Sequence, residues 1–303
     1  MKNFLKIFVL TCLALPLSGK TQSIIVLETD FGTKDSAVSA LRAVIRSVDK
    51  NILVEDLTHE IPPFDIWEGA YRLYQSVSYW PKGTIFVHVI DPGVGTTRRS
   101  IVAKSKTGYY FVGPDNGTLT WIEQKHGLES IREIDLKKNR LHASDTSHTF
   151  FGRDVYAYTA AKLASGEISF EGVGSLISTP PVKLQFENVR IENNKLIGSI
   201  CALDPQYGNV WTNIEEKQLK EFGFQKGAYY KITILNGEET IFCEAIPYCD
   251  TFGNVLKGDN LLYLNSLYSL AIGSNQLNFS SKYQVKSGED WKIIVEPADL
   301  VYP

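Results

Sequence analysis

Apolar residues recur along the first half of the chain in two alternating rhythms. Ile24-Ile25-Val26-Leu27 is a short continuous run of buried-strand type, closed by the turn Thr29-Asp30-Phe31-Gly32. Val38, Leu41, Val44, Ile45 and Val48 then recur at three- and four-residue intervals, which predicts a helix with one buried face. Ile52-Leu53-Val54 starts a second strand ending at Thr58-His59, and Pro62-Pro63 forbids regular structure beyond it. Asp65 is placed to cap a helix that turns Ile66, Ala70, Leu73 and Val77 to one side, and Pro81-Lys82-Gly83 stops it. A third strand over 84–90 runs into Asp91-Pro92-Gly93-Val94-Gly95. A hairpin follows, 100–105 with 109–112 around Thr107-Gly108, and a helix over 154–164 ends at Gly166. Strands alternating with helices predict an α/β domain around a central, largely parallel sheet.

The texture changes after about Pro180. Segments 182–191 and 196–203 flank Glu192-Asn193-Asn194, and 229–235 and 240–245 flank Asn236-Gly237. Asn-Gly between two such runs is a strong hairpin signal. Apart from a short helix near 215–222, this half reads as strands and turns. The linker Leu176-Ile177-Ser178-Thr179-Pro180-Pro181 divides the chain into an N-terminal domain over 20–178 and a C-terminal domain over 179–303. Ahead of both, Lys2 and Lys6 precede an apolar run over 7–17 that exits through Ser18-Gly19, the pattern of a signal peptide over 1–19. The run is too short to span a bilayer core of ~30 Å as a helix. A buried first strand or helix is the alternative. A signal peptide implies export to the periplasm or beyond, with the mature chain starting at Lys20 and no membrane attachment.

The 303 residues are 44% hydrophobic and 21% charged, ordinary for a globular core. A net charge of −3 without a long Lys/Arg cluster argues against a nucleic-acid surface. Past the apolar leader there are Cys201, Cys243 and Cys249, an odd count without C-x-x-C spacing, so neither a disulfide framework nor a zinc site is indicated. Cys243 and Cys249 could bridge or remain free thiols.

Polar residues cluster where strands end: Asp30 and Asp35 after the first, His59 after the second, Asp91 after the third. In open α/β sheets ligands bind at that carboxyl edge. Three acids without a metal-type His/Asp cluster suit hydroxyls, an ammonium group or another cation; alternatively Asp30 and Asp91 are turn residues bonding their own backbone. Gly93-Val94-Gly95 lacks the third glycine of a dinucleotide fingerprint and the lysine of a P-loop. In the second half Asp204-Pro205-Gln206-Tyr207-Gly208-Asn209 places an aromatic beside an amide, which could address a base or be a plain hairpin turn.

Ordered motifs go further. Thr29-Asp30-Phe31-Gly32 with Asp35, 57–65, Asp91-Pro92-Gly93-Val94-Gly95-Thr96 with Arg98, Gly113-Pro114-Asp115-Asn116-Gly117, Thr149-Phe150-Phe151-Gly152-Arg153-Asp154, 204–213 and Leu264-Asn265-Ser266 together resemble the S-adenosylmethionine hydrolases, or SAM hydroxide adenosyltransferases, which are related to the adenosyl halogenases. The resemblance implies an N-terminal α/β domain, a C-terminal all-β, barrel-like domain, and a homotrimer with the substrate between the first domain of one subunit and the second of its neighbour. It implies that Asp30 holds the ribose hydroxyls, Phe64 covers the ribose, and Asp35 and Asp204 lie near the methionine end. Asp204 would meet the ammonium group there, with Ser266 at the carboxylate. Tyr207 and Asn209 would stack on and hydrogen-bond the adenine.

The implied reaction is attack of water on ribose C5′ of S-adenosyl-L-methionine, giving adenosine and L-methionine. A sulfonium leaves readily, so neither metal nor other cofactor is called for; the requirement is a water held in line with the C–S bond. In the hydrolases an Asp, an Arg seven residues later and a His surround that water. Asp91 and Arg98 match the first two. The halogenases carry a Tyr at the Asp91 position, which argues against a halide acceptor. Phe151 stands at the His position and can neither accept a proton nor orient water. His148 lies three residues upstream, on the opposite face if that segment is extended. His59 and His88 are expected to make structural hydrogen bonds. The leading reading is a metal-independent hydrolase; the alternative is a protein that binds S-adenosylmethionine or adenosine without turnover, and a halogenase comes behind both.

Overall fold

The computed structural model describes residues 22–298, so the expected leader over 1–19 lies outside the described residues. The first half runs β1 (Ile24–Thr29), α1 (Ala37–Val48), β2 (Leu53–Thr58), α2 (Ile66–Val77), β3 (Ile85–Val89), β4 (Ser100–Ser105), β5 (Tyr110–Pro114), α3 (Thr120–His126), β6 (Leu128–Glu133), α4 (Tyr158–Ser165) and β7 (Leu176–Ile177). The sheet order is β2-β1-β3-β5-β4-β6-β7. β2, β1, β3 and β5 are parallel, and β4, β6 and β7 join antiparallel. Period-two alternation divides the strands between two cores. Ile25, Leu27, Val87 and Val89 pack against α1 and α4. Val26, Phe86, Ile101 and Phe111 pack against Leu73 and Val77 of α2 and Ile122 of α3. Burial on both faces explains why β1 and β3 read as nearly continuous apolar runs.

The second half runs β8 (Arg190–Glu192), β9 (Lys195–Leu203), β10 (Val210–Glu215), α5 (Glu216–Phe222), β11 (Tyr229–Asn236), β12 (Glu239–Pro247), β13 (Asn260–Leu264), β14 (Ser269–Ser274), α6 (Phe279–Tyr283) and β15 (Trp291–Pro297). Its antiparallel sheet is ordered β12-β11-β15-β9-β10-β14-β13. The two ends meet where Cys249 N donates to Leu262 O at 2.8 Å, so the sheet curls into a nearly closed barrel. Cys201, Cys243 and Cys249 are free thiols.

Several expectations are realised in detail. Asp65 caps α2, its carboxylate accepting from Glu68 N at 2.9 Å. Both hairpins form, around Thr107-Gly108 and Asn236-Gly237. The segment 182–191 differs from its expectation, since only Arg190–Glu192 pairs as strand. Side chains take its backbone donors: Val182 N meets Asp115 Oδ1 at 2.8 Å, Leu184 N meets Thr120 Oγ1 at 2.9 Å, and Glu187 N meets Ser199 Oγ at 2.8 Å. The segment thereby straps one half to the other. Leu184 and Phe186 join Trp67, Tyr71, Trp121, Cys201 and Trp211 in a cluster shared by both halves, and Trp67 Nε1 donates to Cys201 O at 2.7 Å. α3 and β6 carried no sequence signal strong enough to be read, being short and lacking clear caps or alternation.

The helix expected over 154–164 opens earlier, with a π-helical turn at Gly152–Ala157 leading into α4. A Cβ at Gly152 would sit 3.1 Å from Val89 Cγ1 and 3.2 Å from Phe31 Cζ, so glycine lets this turn approach the end of β3.

Candidate functional site

The carboxyl ends of β1, β2 and β3 gather one set of sequence-selected residues. Asp30 follows β1, and its Oδ2 accepts from Phe64 N at 2.9 Å. Phe64 has a left-handed backbone (φ 70°) and leaves its ring 71% exposed. A bulky apolar residue held in that strained conformation beside a carboxylate marks a surface built for contact. His59, after β2, is anchored through Nδ1 to Thr29 Oγ1 at 2.9 Å, with Nε2 3.0 Å from Asp56 Oδ1. It serves the structural role expected of it. Asp35 is exposed and accepts from Ala37 N at 2.9 Å, fixing the entry to α1.

Asp91 follows β3, where Asn116 Nδ2 ties down Ile90 O at 2.8 Å. Its Oδ2 lies 2.5 Å from Arg98 Nη2, and both side chains are largely buried. Tyr156, in the π-turn, donates to the same Oδ2 at 3.4 Å. Oδ1 is buried with no hydrogen-bond partner, as is Arg98 Nε. Burial pushes the Asp91 carboxyl above its usual value; Arg98, Tyr156 and the Gly93 backbone amide pull the other way. The loop bearing Asp91 turns at Gly95 (φ 77°), where a Cβ would meet His148 O at 2.6 Å.

Phe151 belongs to this place. Its buried ring lies 5.7 Å from the Arg98 guanidinium carbon and 5.3 Å from that of Arg140. The exposed His148 ring is 6.4 Å away. His88, expected to make a structural hydrogen bond, makes none: both ring nitrogens are buried without partners. That expectation is corrected, because His88 points into the sheet core over Gly113 instead of toward the strand end.

A second set lies in the barrel. In the turn between β9 and β10, Asp204 Oδ1 accepts from Gln206 N at 3.0 Å and Tyr207 N at 3.2 Å, and Asn209 Nδ2 reaches Oδ2 at 3.4 Å. This holds the 66% exposed Tyr207 ring over a groove of about 600 Å³ shared with Asn209, Phe252 and Asn278. Ser266 is exposed in the β13–β14 turn, which Asn265 Oδ1 fixes by accepting from Leu267 N at 2.9 Å and Ser269 N at 3.0 Å. Sequence reasoning missed Phe252, Arg140 and Tyr156. Each is brought in by tertiary contact, and none stands in a motif or at a strand end.

No hydrogen bond or ion pair joins Asp30, Phe64, Asp91, Arg98 and Phe151 to Asp204, Tyr207, Asn209 and Ser266 among the described residues of one chain. Those described residues also hold no group of three or more His, Cys, Asp or Glu able to bind a metal. None of the described helices is long and apolar enough to cross a membrane.

Comparison with known proteins gives the arrangement a context. The family described as the SAM hydroxide adenosyltransferase N-terminal domain matches residues 25–174, and its C-terminal counterpart matches residues 198–292. A protein of Methanocaldococcus jannaschii named (R)-S-adenosyl-L-methionine hydrolase is 36% identical over 222 residues, covering 72% of this chain and 76% of its own. An Actinopolyspora mzabensis protein named fluorinase is 26% identical over 298 residues, covering 88% and 96%. The crystal structure of an uncharacterised conserved protein from Thermotoga maritima superposes with a TM-score of 0.81 at 32% identity, covering 90% of this chain and 99% of that one.

Proposed function

The chain belongs to the SAM hydroxide adenosyltransferase family, and from that premise we propose that it hydrolyses S-adenosyl-L-methionine to adenosine and L-methionine by attack of water at ribose C5′. The observation that carries this reading is the buried Asp91–Arg98 pair at the end of β3, with Asp91 Oδ1 left without a partner. A carboxylate oxygen so placed is equipped to hold a water and take its proton. The relatives named as S-adenosylmethionine hydrolases support the same substrate. Asp91 favours water over halide, in keeping with its position in the hydrolases.

In this reading Asp30 holds the ribose hydroxyls and Phe64 lies over the sugar. Asp35, Asp204 and Ser266 serve the methionine end, and Tyr207 with Asn209 serves the adenine. Each site is completed between subunits of a homotrimer, a reading supported by the lack of any hydrogen bond or ion pair between the two residue sets among the described residues of one chain. No metal or other cofactor takes part, and the protein acts after export.

A second reading, a binding protein that has lost turnover, is favoured by Phe151. Its ring fills a place beside Arg98 where it offers no acceptor. The two are separated by incubating the chain from Lys20 with S-adenosylmethionine, with and without chloride, and following adenosine by chromatography. Adenosine formed by the native chain and abolished by Asp91→Ala is the expected result. Calorimetric binding of adenosine without any turnover would leave the binding protein, and a chloride-dependent product would point to halogenase chemistry.

A further inference from the structure

Asp91 and three side chains around it close a hydrogen-bond ring, and we propose that Ser100 and Tyr156 are positioning residues that lock Asp91 through Oδ2 and leave Oδ1 as the oxygen that takes the proton of the attacking water. The proposal rests on the hydrolase reading for its reaction, and on geometry alone for the ring.

Arg98 Nη2 meets Asp91 Oδ2 at 2.5 Å, and Arg98 Nη1 meets Ser100 Oγ at 3.0 Å. Ser100 Oγ lies 3.1 Å from Tyr156 Oη, and Tyr156 Oη lies 3.4 Å from Asp91 Oδ2. The donors can be assigned without seeing hydrogens. A guanidinium only donates and an ionised carboxylate only accepts. Tyr156 therefore spends its hydrogen on Asp91 and must accept from Ser100, which in turn accepts from Arg98. Every bond points from Arg98 toward Asp91, by one direct path and one path through two hydroxyls. Bonds aligned in this way polarise one another.

The ring consumes Oδ2 twice and leaves Oδ1, which is buried and has no partner. Buried polar atoms without partners are uncommon and call for an explanation; in this proposal Oδ1 is reserved for the water that reacts. The four members come from the end of β3, the approach to β4, the start of β4 and the π-turn, so one ring cross-links the strand ends beneath the site. Ser100 and Tyr156 are both buried and reach Asp91 through their hydroxyls, so each is assigned a positioning role. In the reaction, one water O–H bond breaks and its proton goes to Oδ1. The oxygen bonds C5′, and the C5′–S bond breaks with its electron pair passing to the methionine sulfur.

The groups acting on Asp91 are Arg98, Tyr156 and the Gly93 amide. The Tyr156 hydroxyl favours the ionised carboxylate, so its loss moves the acid limb of activity to higher pH. The test measures kcat and KM against pH for the native chain, Tyr156→Phe and Ser100→Ala. In parallel, the Asp91 carboxyl is titrated by 13C NMR, with its signal assigned through Asp91→Asn. Tyr156→Phe is expected to lower kcat ~10-fold, as for loss of one bond to a charged group. KM should stay within roughly twofold, because no ground-state contact is removed, and both the acid limb and the NMR midpoint should rise. Ser100→Ala should act in the same direction more weakly, and it decides the matter if Tyr156→Phe does not fold. An unmoved Asp91 midpoint in the folded variants overturns the ring. A moved midpoint with no adenosine from the native chain sinks the hydrolase reading and the proton-acceptor role, while leaving the ring as structure.

Discussion

At the scale of single residues, Phe151 is the position that bears most directly on the proposed hydrolysis. Its ring lies against two guanidinium groups, a favourable cation–π setting that stabilises the pocket without supplying a base. An imidazole is smaller than a phenyl ring and fits the same space. The two neighbouring positive charges would keep it neutral and able to accept a proton. Phe151→His is therefore expected to raise kcat, by up to the ~10²–10⁴-fold that general-base assistance supplies, with adenosine affinity nearly unchanged. Steady-state kinetics with calorimetry checks this, and an unchanged kcat would show that Asp91 alone does the work. The motif identified the position from sequence. That two arginines flank it, Arg140 from the loop just before it and Arg98 from the approach to β4, could be learned only from the fold.

At the scale of elements, the pairing of β1 with β3 sets two titratable groups side by side under α2. Glu28 and His88 are register neighbours, and both are buried without hydrogen-bond partners. Burial pushes the Glu28 carboxyl well above its usual value, a shift opposed by Arg72 and reinforced by Glu68. Burial drives His88 down to about 3 from 6.5. The signs oppose each other. The unfolded chain binds a proton at His88 below about 6.5 and the folded chain does not until about 3, so this group's contribution to stability is lost as pH falls through that window. For Glu28 the folded state holds the proton more tightly, so its contribution falls as pH rises above the ordinary glutamate value. His88→Leu should remove the first effect, worth about 2 kcal/mol at pH 5 from a 1.5-unit gap below 6.5. The thermal midpoint should then drop less between pH 7 and pH 5 than in the native chain. An equal drop in both proteins would mean that His88 titrates normally. Neither residue was legible as a buried titratable group, because a strand end and a strand interior look alike in a run such as 84–90.

At the scale of the whole molecule, the two residue sets, one at the strand ends and one at the barrel turn, share no hydrogen bond or ion pair among the described residues of one chain. If each site unites one chain's first set with its neighbour's second, two inactive variants should rescue each other. Asp91→Ala and Asn209→Ala, inactive alone, should on co-refolding regain activity in roughly a quarter of the sites, the share expected when equal amounts mix at random in a ring. Chromatographic assay of adenosine reads this directly, and no recovery would place both sets within a single subunit.

The sequence by itself determined the local grammar. Continuous apolar runs marked the buried parallel strands, Asp65 marked a helix start, and Asn236-Gly237 marked a hairpin, because each signal depends on neighbours within a few residues. It also determined the family, since ordered motifs survive without knowledge of their contacts. The tertiary structure decided what those motifs touch. It turned 182–189 from an expected strand into a strap, because side-chain acceptors from the first domain outcompeted a strand partner. It started a helix early with a π-turn, and so brought Tyr156 to Asp91 across 65 residues. Such contacts form only when distant segments pack together, and no periodicity along the chain records them.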